Sequence, residues 1–115
     1  MTIPSTNETE ILRAQSEVVS TARGVLSGAV GIVEGARRLA KLSHDLGVDR
    51  DQDFIFFIGV DSETDHLPVG EVRRHWAAEA LRQKDEELRK CEASFRDGAF
   101  QGCQSLIQRY DKTVA

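Results

Sequence analysis

Asp61, Glu63 and Asp65 stand at alternate positions, and His66 follows them directly in the segment Asp61-Ser62-Glu63-Thr64-Asp65-His66-Leu67-Pro68. Clustered carboxylate oxygens suit a hard cation such as Ca²⁺ or Mg²⁺, so metal binding, or a metal-assisted reaction, is one chemistry these residues offer. The EF-hand pattern fails on them. Counted from Asp61, the sixth position needs Gly and holds His66, and the twelfth needs Glu and holds Val72. A second reading is a polar loop in which Ser62 and Asp65 make capping contacts while the acids pair with Arg73 and Arg74. A third is a protein-binding surface made of Asp61, Glu63, Asp65, His66, Arg73, Arg74 and Trp76.

His75 and Glu79 have the i, i+4 spacing that chelates a metal if both lie on the last helix, and His44 and His66 would have to converge on them. No His-Glu-x-x-His accompanies them, and scattered histidines more often cap or face solvent. A nucleophile is no better marked. Gly-x-Ser-x-Gly is absent, and neither Cys91 nor Cys103 has a histidine beside it in sequence. On one helix those cysteines would be about 18 Å apart, too far for a disulfide. No catalytic residue, metal ligand set or cofactor is therefore expected.

Arg37-Arg38-Lys41 and Arg73-Arg74 are short basic clusters interrupted by acids, and most Phe residues fall in one apolar run. Nucleic-acid readers show a basic face and aromatics free to stack, so nucleic acid is not an expected partner. Trp76, the only tryptophan, reads as a core or helix-start anchor before it reads as a ligand platform.

The elements that must position these groups are mostly helical. Ile11, Leu12, Ala14, Val18, Val19, Ala22, Val25 and Leu26 recur at helical intervals and predict a helix over Thr6–Ser27, capped by Thr6 or Asn7. The seven-residue spacing continues through Ile32 and Leu39, but Gly24, Gly28, Gly31 and Gly35 argue against one continuous coiled coil. A break at Ser27–Gly28 is expected, then a second helix over about 29–46 that ends at Gly47. The glycines also offer a small-residue seam for close helix packing. Glu34 and Arg38 predict an i, i+4 pair on its outer face.

Phe54 to Val60 is ambiguous between a short buried helix, capped by Asp51 or Asp53, and a strand that would need a partner chain. Asp61 to Gly70 reads as a loop. A long last helix is expected from Glu71 or Trp76, with a kink or turn at Asp97-Gly98. Its apolar side is Leu81, Leu88, Cys91, Phe95, Ala99, Leu106, Ile107 and Tyr110, and Arg82–Glu86, Asp85–Arg89 and Glu86–Lys90 lie opposite. The fold class is all-α, a small bundle of about four helices. It is expected as one domain over residues 6–111 between tails 1–5 and 112–115.

The chain has 115 residues, 40% hydrophobic and 30% charged, with a formal net charge of −4. That balance suits a globular domain, and the mild acidity is compatible with a basic protein partner. No run reaches the roughly 18 apolar residues of a membrane span. Met1 to Glu10 has neither a basic region nor an apolar stretch, so no secretory signal is read there and a cytoplasmic location is expected.

The string Glu34-Gly35-Ala36-Arg37-Arg38-Leu39 carries a resemblance together with Val60-Asp61-Ser62-Glu63-Thr64-Asp65-His66-Leu67-Pro68-Val69-Gly70, Trp76, Cys103, Leu106 and Arg109-Tyr110. The chain resembles a family of small, uncharacterised bacterial proteins sharing an (Ile/Val)-Asp-Ser-Glu-Thr-Asp-x-Leu-Pro-x-Gly motif. The likeness spans about residues 10–110. It implies bacterial origin and domain extent, and brings no activity, ligand or site residue with it. The functional expectation is a non-catalytic protein-interaction module, one form of which is an immunity- or antitoxin-like binder that masks a basic surface. The alternative is a metal-dependent enzyme or metal-binding protein using Asp61 to His66, and a homodimer through Phe54 to Val60 or the glycine seam is a third possibility.

Overall fold

The computed structural model describes residues 6–111, which form four α-helices and one short 3-10 helix with no strand among them. The expected tails, 1–5 and 112–115, lie outside the described residues. Helix α1 spans Thr6–Ser27, as its periodicity predicts. Both proposed capping residues therefore lie within the helix, and its cap position falls outside the described residues. Val18, Thr21, Ala22 and Val25 turn inward. The helix stops because Gly28 takes φ +84°, a left-handed conformation in which its N–H reaches Val25 O.

The chain then turns sharply into α2, Ile32–Asp45, so the break is longer than expected and runs from Gly28 to Gly31. The two helices approach closely where side chains are missing. Val30 lies on Gly24 and Val25 lies on Gly35, in each case where a Cβ would collide. The glycine seam is thus filled from within the chain. Helix α2 buries Val33, Ala36, Leu39 and Leu42, and Gly47 (φ +70°) follows its end.

Phe54 to Val60 is helical, inside α3, Gln52–Glu63. Asp51 caps α3 by accepting the Asp53 N–H at 2.9 Å. Arg109 clamps the same end, with Nη1 2.8 Å from Asp51 and 3.0 Å from Asp53. Phe54, Phe57 and Val60 are buried, at about 1.5–3 kcal/mol for a large apolar side chain. The local hydrogen bonds of a helix satisfy every backbone group that a lone strand would leave open.

Two expectations need correction here. Asp61, Ser62 and Glu63 are the last turn of α3, and the loop begins only at Thr64. The last helix also starts later than Glu71 or Trp76. Gly70–His75 is a separate 3-10 helix, and α4 runs unbroken over Ala78–Tyr110. At about 1.5 Å per residue, its 33 residues span about 50 Å. Gly98 does not kink it. The Phe56 ring packs where a Gly98 Cβ would stand, and the Phe57 ring does the same at Gly102. These two glycines, one turn apart, are slots that seat α3 on α4.

Candidate functional site

The two motif strings meet around one side chain. Arg37, on α2, donates from Nε to Asp61 Oδ1 (3.1 Å), from Nη2 to Thr64 O (2.7 Å) and from Nη1 to Leu67 O (3.2 Å). Thr64 is buried and its hydroxyl donates to Val60 O at 2.6 Å, while Leu67 and Pro68 are buried beneath the turn. Asp61, Thr64, Leu67 and Pro68 therefore hold α3 and its exit turn against α2. The acids do not pair with Arg73 and Arg74 as the polar-loop reading supposed. Of the predicted carboxylates, Asp61 is half-buried with Arg37, and Glu63 and Asp65 are exposed.

The rest of the predicted surface is fastened to the first half of α4. His66 Nε2 lies 2.6 Å from Glu87 Oε1, and that hydrogen bond holds the Glu87 carboxyl below its usual value. Arg73 grips Asp85 with both terminal nitrogens (2.6 and 2.9 Å) and also donates to Pro68 O. This fork lowers the Asp85 carboxyl and raises the Arg73 guanidinium. Asp85 thus pairs with Arg73, not with Arg89 as its spacing suggested. Arg74 stays local, 3.3 Å from Glu71. The 3-10 helix buries none of its residues; Val72 within it is 51% exposed, and Trp76 directly after it is 39% exposed. Trp76 is therefore neither a core anchor nor a helix start.

Beside Arg73 the surface is concave. A cleft of about 250 Å³ is lined by Gly31, Glu34, Val69, Gly70, Arg73, Asp85, Leu88 and Glu92. It shares Glu34, Gly70 and Arg73 with a more open cleft of about 480 Å³ that extends to Arg38 and Arg74. The charges here are already paired: Glu34 with Arg38 at 3.0 Å, Asp85 with Arg73, and Glu92 with the Val33 N–H at 3.0 Å. Among the described residues, no buried side-chain nitrogen or oxygen lacks a hydrogen-bond partner.

The geometry lends nothing to metal chemistry. Among the described residues no group of three His, Cys, Asp or Glu side chains is placed to hold an ion. His75 and Glu79 do not share a helix, since Trp76 and Ala77 intervene between the 3-10 helix and α4. Cys103 is fully buried, and burial pushes its thiol up to about 11, far from a reactive thiolate. Both cysteines are free.

Sequence reasoning missed Arg37, Asp85, Glu87 and Glu92 as the groups that hold this surface. Arg37 was marked only as a member of a basic cluster and of a motif string. The other three sit in a charged helical stretch where local i, i+4 pairing hides a long-range partner.

Among the described residues, no helix is long and apolar enough to cross a membrane. No curated protein matches the chain, and no solved structure matches it. Residues 5–106 match the family described as protein of unknown function DUF2489, which is most of the chain. The chain belongs to that family, and the motif strings drawn together by Arg37 lie within the matched span.

Proposed function

We propose that this protein is a non-catalytic binding module whose partner is another protein, engaged through the surface from Glu63 to Trp76. The observation that carries this reading is the 3-10 helix. It presents Val72, and Trp76 directly after it, to solvent on a segment fixed by the Arg73–Asp85 fork. An exposed aromatic on a rigid support, rimmed by charge, has the composition of a binding hot spot. Exposed Glu63 and Asp65, earlier in the same segment, favour a partner with a basic rim around an apolar pocket, the chemistry an immunity- or antitoxin-like role would also use. The metal-dependent alternative gains no support from the arrangement of Asp61 to His66, because Asp61 is committed to Arg37 and His66 to Glu87.

The test is affinity capture with the tagged chain and its Trp76→Ala variant, followed by titration of the purified partner. Trp76→Ala should weaken that complex about tenfold or more without changing the far-ultraviolet helical signal. Charge reversal at Glu63 and Asp65 should slow association and reduce its salt dependence. Equal affinity for the wild type and Trp76→Ala would remove this surface from the function.

A further inference from the structure

We draw no further inference here: the strongest candidate, the cleft between the start of α2, the 3-10 helix and α4 where Glu34, Asp85 and Glu92 stand around Val69 and Leu88, is a cluster of acidic residues each already bonded within the chain, and nothing in the structure shows what would enter it.

Discussion

Arg37 Nη2 donates to the carbonyl oxygen of Thr64, the residue that closes α3, at 2.7 Å. The last carbonyls of a helix have no intrahelical donor and carry the negative end of its dipole, so a guanidinium is well matched to them. Asp61 lies one turn before that carbonyl and Leu67 lies beyond it, and the same side chain bonds to both. One planar fork therefore ends α3, shapes the turn and joins both to α2.

Removing the fork leaves Asp61 without its cation and takes the donor from Leu67 O, while Thr64 O keeps only the Leu67 N–H. Arg37→Ala should destabilise the protein by about 1–3 kcal/mol in urea unfolding, with amide exchange rising first over residues 61–70. Arg37→Lys should recover less than half of the loss, because an ammonium cannot reach three acceptors in one plane.

The 3-10 helix is held through Asp85, whose carboxyl Arg73 keeps below its ordinary value of 3.8. A group depressed in the folded state contributes above its unfolded pKa, and the contribution is lost as pH falls through the folded value. Exchange of the Gly70–His75 amides, corrected for intrinsic rate, should be flat from pH 7 down to about 5 and rise below about pH 4. Asp85→Asn should raise it across the whole range, and hydrogen-exchange mass spectrometry reads both.

Gly102→Ala and Gly98→Ala both improve helix propensity and both place a methyl group inside a Phe ring. Phe57, facing Gly102, is buried and has nowhere to turn, whereas Phe56, facing Gly98, is half-buried. Gly102→Ala should cost about 1–3 kcal/mol by thermal or chemical unfolding, and Gly98→Ala should cost less.

Cys103 should resist thiol reagents at pH 8 until the protein unfolds, since it has no exposure and a pKa pushed up to about 11. Half-buried Cys91 should react first. Labelling kinetics with and without denaturant distinguish the two.

The helices were legible where their determinants are local. Thr6–Ser27 follows from apolar spacing, and the break after it follows from Gly28, which takes the left-handed conformation its residue type allows. The Phe54–Val60 run was not decidable alone, because what makes it a helix includes Asp51 at its start and the glycine slots 40 residues further on. Gly98 read as a break for the same reason: its explanation is Phe56, which no local window contains. The acidic segment was noticed for its charge, yet its buried members, Thr64, Leu67 and Pro68, are what fix its shape. Its binding to Arg37 is a contact between distant parts of the chain that composition does not announce.

All the buried residues of α4, Ala99, Cys103 and Leu106, belong to its second half, while its first half is tied down by Asp85, Glu87 and Glu92. A single rod thus joins two regimes, one secured mainly by buried apolar side chains and the other by polar contacts, the Arg73–Asp85 ion pair among them, with Leu88 as its apolar contact with the core. Salt screens the second and leaves the first largely untouched. Raised ionic strength should accordingly loosen the start of α4 and the 3-10 helix before it affects the bundle below, which hydrogen exchange at low and high salt would read.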